Sequence, residues 1–150
     1  MKNVNQTLQQ AIALHQQGNL SVAAQLYQQI LVIDNKQSDA HNLLGAVYVA
    51  TKKYKLAEKH LLKATKYASN YAPAHYNLGQ AYLDQQKYHL ALAAFSKAVK
   101  LRPEYADAVF LLANTRVRLG SLAEAKLGYE LVIKLAPDNF EAHNNLGSAL

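Results

Sequence analysis

Ala40-His-Asn-Leu-Leu-Gly45 is the stretch that decides the fold, because it returns along the chain at a fixed spacing of 34 residues. It comes back as Ala-His-Tyr-Asn-Leu-Gly at 74–79, Ala-Val-Phe-Leu-Leu-Ala at 108–113 and Ala-His-Asn-Asn-Leu-Gly at 142–147. A constant period of this length is typical of stacked helical units, none of which can bury its apolar face alone. The sequence therefore predicts a repeat protein whose role is to bind another molecule.

The register of the repeat is set by its small residues. With the last residue of the motif as position 8, the repeats begin at Val4, Ser38, Ala72 and Ala106, and a truncated fifth begins at Phe140. Positions 8 and 20 are small in every complete repeat, which lets two helix backbones approach closely. Positions 3, 7, 8 and 11 share one helix face, as do 17, 20, 24 and 27. Each unit is therefore predicted to be a pair of antiparallel helices joined by a short polar turn.

These residues resemble the tetratricopeptide repeat, which also has aromatic residues or leucine at positions 11, 17 and 24 and proline at 32, here Pro103 and Pro137. The resemblance covers nearly the whole chain. It implies an all-α fold, a right-handed α-solenoid of antiparallel helix pairs forming one superhelical domain over residues 1–150. Arg116 at an apolar position and Gly128 inside a helix depart from the pattern, so we expect the fourth repeat to be the loosest.

Composition narrows the class of protein. The chain has no cysteine, which excludes a disulfide framework and a thiol nucleophile and fits a reducing compartment. We therefore expect a cytoplasmic protein. No stretch approaches the ~20 apolar residues of a membrane span, and the N-terminus lacks the continuous apolar segment of a signal peptide. We expect no membrane partner.

The net charge of +6 is concentrated in one part of the chain. Residues 52–102 hold ten of the sixteen basic residues and only two acids, Glu58 and Asp84. Such a block either attracts an acidic or nucleic-acid partner or forms a solvated helix face. We favour the solvated face, because lysine dominates over arginine and no aromatic residues interleave for base stacking. The block begins with Lys52, Lys53, Lys55, Lys59, Lys63 and Lys66.

No arrangement of residues points to catalysis, a metal or a cofactor. His41, His75 and His143 share repeat position 4, so they should point the same way along the stack and not converge. Neighbouring helix axes lie roughly 8–10 Å apart, whereas zinc needs its ligand nitrogens at about 2.0–2.1 Å. We expect a packed, partly buried ladder of histidines and a non-enzymatic chain without metal or cofactor.

The first helix of each repeat should line a concave groove, because several of its positions are not needed for the core. Amides in this set can bond a peptide backbone without reading its side chains, and apolar members offer anchors and pockets. The predicted groove residues are Asn42, Leu43, Val49, Tyr76, Asn77, Gln80, Leu83, Phe110, Asn114, Val117, Arg118, Asn144 and Asn145.

This lining favours a protein-interaction scaffold that binds an extended peptide or an amphipathic helix. The basic clamp with which some family members bind acidic C-terminal tails is absent, since only Arg118 among these groove positions is basic. An alternative comes from Asn77 and Asn145 at position 6, which are similar to the asparagine ladder in the repeat arm of protein O-glycosyltransferases. That resemblance implies a substrate-docking arm of a longer enzyme whose catalytic domain lies beyond residue 150.

The end of the sequence interrupts the fifth repeat. Leu146 and Leu150 belong to a first helix whose partner helix is missing from the sequence, so we expect the chain to be a fragment of a longer protein. Uncovered apolar surface favours association, while the entropy of association opposes it in dilute solution. We therefore expect a monomer, or weak self-association through this C-terminal end.

Overall fold

The computed structural model describes residues 3–149, and every regular element within them is an α-helix. The chain divides into two compact units, residues 1–70 and 71–150. The first contains α1 (Val4–Gln16), α2 (Leu20–Ile33), α3 (Ser38–Ala50) and α4 (Tyr54–Tyr67). The second contains α5 (Ala72–Asp84), α6 (Tyr88–Leu101), α7 (Ala106–Arg118), α8 (Leu122–Leu135) and α9 (Phe140–Ala149). None of these described helices is long and apolar enough to cross a membrane.

The helices follow the sequence repeat residue by residue. The odd-numbered helices begin at Val4, Ser38, Ala72, Ala106 and Phe140, where the five repeats begin. The first four of these helices each pack against the helix that follows in the same repeat, and α2, α6 and α8 also pack against the first helix of the next repeat. The all-α prediction of antiparallel helix pairs is confirmed. The prediction of one continuous domain concerns how the two units join, and it stays a prediction.

Repeat position 15 has the same backbone conformation in all four turns between paired helices. Gly18 and Gly120 have φ angles of 82° and 81°, and Lys52 and Gln86 have φ angles of 60° and 61°. This left-handed conformation is easy for glycine and costs about 1–2 kcal/mol for other residues. The second and third repeats therefore carry backbone strain that the first and fourth avoid.

Small residues at position 8 are required by the packing of the helix pairs. A Cβ added to Gly45 would lie 2.5 Å from Leu61, and one added to Gly79 would lie 2.7 Å from the ring of Phe95. Both neighbours are fully buried, so they have no room to yield. In the fourth repeat Gly128 takes over this role, since a Cβ there would lie 2.9 Å from the Cβ of Ala113 on the facing helix. Its presence inside α8 thus has a packing reason.

Each unit has its own core of alternating small and large side chains. In the first unit Tyr27, Ile30, Leu44 and Leu61 are fully buried. In the second, one cluster contains Val109, Ala113, Ala125, Tyr129, Val132 and Ala142, and another contains Ala91, Phe95 and Leu112. Because each cluster joins successive helix pairs, stability comes from the interfaces between neighbours.

Candidate functional site

A cavity of 630 Å³ lies within the second unit, where the ends of α5 and α7 meet the starts of α6 and α8 and one side of α9. Its size falls in the range of ligand pockets, about 300–1,000 Å³. The cavity is lined by Leu83, Asp84, Gln86, Tyr88, Asn114, Val117, Arg118, Leu122, Tyr129, Asn145, Ser148 and Ala149. Five of the predicted groove residues therefore come together here: Leu83, Asn114, Val117, Arg118 and Asn145.

A small hydrogen-bond network forms the polar wall of the cavity. The Tyr129 hydroxyl donates to Oδ1 of Asn114 at 2.5 Å, and Nδ2 of Asn145 donates to the same oxygen at 3.1 Å. Burial raises the pKa of Tyr129, so its hydroxyl stays protonated and remains a donor. With both acceptor positions of Oδ1 occupied, the orientation of the Asn114 amide is fixed. The two N–H groups of the same amide are the donors that Asn114 can offer to a ligand.

The rest of the lining combines apolar side chains with a few polar ones, one cation and one anion. Val117 is 38% exposed and Leu122 is 48% exposed, while Leu83 packs partly against the Phe95 cluster. The Arg118 side chain is exposed and has no ion-pair partner among residues 3–149. The cavity thus combines apolar contact area with an available guanidinium and fixed amides.

The two aromatic groove residues of the second unit serve mainly as packing. The ring of Tyr76 lies 6.0 Å from that of Phe95 and 5.1 Å from that of Tyr105, and burial raises its pKa to about 12. Phe110 packs against Tyr129, with ring centroids 6.1 Å apart. Both side chains are half-buried between helices.

The remaining predicted residues do not join the cavity. Asn42 is only 3% exposed, because α3 is packed between α1, α2 and α4, and it has no surface to offer a ligand. This burial weighs against a groove role for Asn42, and its assignment to the groove stays a prediction. In the same unit Leu43 and Val49 are half-buried. In the second unit Asn77 and Gln80 are half-buried and Asn144 is exposed.

Sequence reasoning missed the contribution of the second helices to the cavity. Tyr88 and Leu122 hold position 17 and Tyr129 holds position 24, and the spacing of these positions predicts only that they share one helix face. The available signal was the turn, because a residue that directly follows a tight turn lies beside the last turn of the preceding helix. Position 17 therefore meets positions 12 and 13.

Of the three histidines in the predicted ladder, His41 is the one that is buried. His41 is 2% exposed and its Nε2 lies 2.9 Å from the carbonyl oxygen of Asn35. His143 makes the same kind of contact with Pro137 at 3.1 Å but is exposed, and His75 is half-buried. In the part of the chain that the structure describes, no three His, Cys, Asp or Glu side chains are grouped as metal ligands.

The geometry of small-residue helix pairs at a fixed period defines a class of helical repeat proteins, and comparison with known families identifies it. Tetratricopeptide-repeat profiles match residues 14–81, 72–105 and 106–139. The chain belongs to the tetratricopeptide-repeat family. No curated protein gives a match to the sequence.

Several solved structures are similar over most of the chain. MamA (residues 41–end) from Desulfovibrio magneticus RS-1 is 28% identical with a TM-score of 0.80, covering 91% of this chain and 77% of that one. YrrB, described as having an unusual peptide-binding site, is 25% identical with a TM-score of 0.83, covering 98% and 76%. The first repeat domain of Spaghetti (RPAP3), bound to an HSP90 peptide, is 29% identical with a TM-score of 0.74, covering 77% and 92%.

Proposed function

We propose that this chain is a non-catalytic interaction scaffold whose second unit binds an extended peptide in the cavity of α5–α9. The observation that carries the proposal is the Asn114 amide, whose oxygen is held by Tyr129 and Asn145. A fixed amide can donate to a peptide carbonyl without the entropy cost of ordering its side chain on binding. Such contacts read the backbone and tolerate many side chains.

The other wall residues would determine which peptides bind. Leu83, Val117 and Leu122 offer apolar contact area for one or two aliphatic or aromatic side chains. Arg118 can pair with a carboxylate, with both of its terminal nitrogens engaged. The preferred ligand is therefore a short segment that carries an apolar residue next to an acidic one.

The solved relatives support a peptide as the ligand. YrrB is described as having a peptide-binding site, and the Spaghetti domain was solved with a peptide bound. Family members generally act as scaffolds without catalysis, which agrees with the hydrogen-bonding and apolar character of this cavity. A cytoplasmic location, suited to a chain without cysteine, is part of the same proposal.

The test is a peptide-array screen followed by fluorescence titration of the tightest binder. Asn145→Ala removes one of the two donors that fix Asn114, and we expect at least a tenfold loss of affinity, about 1.4 kcal/mol. Asn144→Ala is the matched control, because that neighbouring amide is exposed and lies outside the cavity. Equal loss in both variants, or none in either, would place binding elsewhere.

A further inference from the structure

The outward side of α8 carries an exposed stripe of leucines. Leu127, Leu131 and Leu135 are spaced four residues apart, so they follow one another along one helix face. Their exposed fractions are 65%, 39% and 37%. None of them belongs to the buried clusters of the second unit. We refer to these three residues as the leucine face.

The helix-pair packing does not require leucine at the first two of these places. Leu127 and Leu131 hold repeat positions 22 and 26. The other three repeats carry polar, charged or small residues at the same two positions, namely Gln25 and Gln29, Lys59 and Lys63, and Ala93 and Lys97. The fourth repeat thus places large apolar side chains where its three counterparts place solvated or small ones.

A further repeat in sequence would not cover these two leucines. Inside the second unit, α6 is followed by α7 and α8, yet Ala93 and Lys97 of α6 remain exposed. A helix pair continuing after α9 in the same way would therefore leave Leu127 and Leu131 exposed as well. A partner that covers Leu127 and Leu131 therefore comes from outside the repeat stack.

Two charged residues flank Leu127 and Leu131 at equal distances along α8. Glu124 lies three residues before Leu127, and Lys134 lies three residues after Leu131. Both charged side chains are exposed, and Glu124 also contacts Arg116 at 3.4 Å. When a second α8 lies antiparallel on the first, Leu127 faces Leu131 of the other copy. The same arrangement brings each Glu124 opposite a Lys134.

We propose that the leucine face binds the leucine face of a second copy of this chain, with the two α8 helices antiparallel about a two-fold axis. The surface is self-complementary in both apolar pattern and charge, as a two-fold interface must be. A contact limited to one helix buries well below the ~1,600 Å² of a standard interface, so association is weak. This surface on α8 differs from the C-terminal end at which the sequence predicted self-association.

The first test is sedimentation velocity of the whole chain from micromolar to millimolar concentration. We expect a reversible monomer–dimer equilibrium. The Leu127→Gln/Leu131→Gln double variant uses the residues found at these positions in the first repeat, and we expect dimerisation to weaken at least tenfold. Leu90→Gln on α6, which is 51% exposed, is the matched control and should dimerise normally. A wild-type chain that stays monomeric, or a double variant that dimerises like wild type, overturns the proposal.

The second test addresses the antiparallel pairing. Glu124→Lys places lysine at both positions 124 and 134, and Lys134→Glu places an acid at both. Each variant alone should therefore dimerise several-fold more weakly than wild type, because like charges would face each other. Mixed in equal amounts, the two variants restore both ion pairs, and we expect a heterodimer at least as tight as the wild-type dimer. A mixture no heavier than its separate components contradicts the antiparallel arrangement.

Discussion

The Nδ1 atoms of His41 on α3 and His60 on α4 lie 3.0 Å apart. The other nitrogen of His41 lies 2.9 Å from the carbonyl oxygen of Asn35, which can only accept. His41 must therefore carry its proton on Nε2 and accept at Nδ1, so His60 donates from Nδ1. Burial lowers the pKa of both imidazoles, and for His60 burial together with the charges of His41, Lys59 and Lys63 lowers it to about 4.

This histidine pair predicts that the protein loses stability in mild acid. The unfolded chain takes up protons near pH 6.5, while folded His60 resists protonation until about pH 4, so the free energy of unfolding falls as the pH drops through that window. Between about pH 7 and pH 5 we expect His60 to account for roughly 1 kcal/mol of the loss, allowing for solvent screening of a half-buried ring.

Urea denaturation of variants at the two pH values measures this contribution. His60→Gln retains a donor for His41 but does not titrate, and it should lose less stability on acidification than wild type. His89→Gln on the exposed start of α6 is the control and should follow wild type. Identical pH dependence in His60→Gln and wild type contradicts the assignment.

The left-handed turn position predicts two stabilising substitutions. Lys52 and Gln86 have positive φ angles at the position where the other two turns have glycine. Replacing either with glycine should raise the free energy of unfolding by about 0.5–1 kcal/mol and the melting temperature by roughly 2–4 °C per kcal/mol. Lys53→Gly is the control, because its φ of −95° gives glycine no advantage there. We expect thermal melts to show opposite effects at these adjacent lysines.

Two glycines at repeat position 8 should respond oppositely to alanine. In Gly79→Ala the new Cβ meets the buried ring of Phe95, and such overpacking costs about 1–3 kcal/mol. At Gly147 nothing lies within 4 Å of an added Cβ, so alanine should stabilise the helix by up to about 1 kcal/mol. Chemical denaturation of both variants measures the change in the free energy of unfolding. If Gly79→Ala were as stable as wild type, α5 and α6 would not approach as closely as the structure shows.

The helices could be predicted from the sequence because their signals are local and repeated. The residues of the repeated motif fix the start of every first helix, and the small residues at positions 8 and 20 fix which faces meet. The cavity could be predicted only on one side. Its Asn114 and Arg118 stand on a first helix, whereas Leu122 looks like a core residue until the turn brings it beside Val117.

The burial of Asn42 and the pairing of His41 with His60 could not be predicted from the sequence, for the same reason. Asn42 has the spacing of a groove residue, but the close packing of α3 encloses it. His60 shares no repeat position with His41, yet the antiparallel arrangement of α3 and α4 places the two rings 5.2 Å apart. A 34-residue period relates equivalent positions, and it carries no information on which unlike positions meet.

A side-chain amide NMR titration of the chain with the tightest peptide from the array shows directly whether the peptide binds in this cavity. We predict saturable shifts of the Asn114 and Asn145 side-chain amide signals, with the Asn144 signal unchanged as an internal reference. Slowed exchange of the Asn114 amide protons should accompany binding, because they donate to the peptide. Saturable binding that leaves both the Asn114 and Asn145 signals in place would contradict the proposal that this cavity is the peptide site.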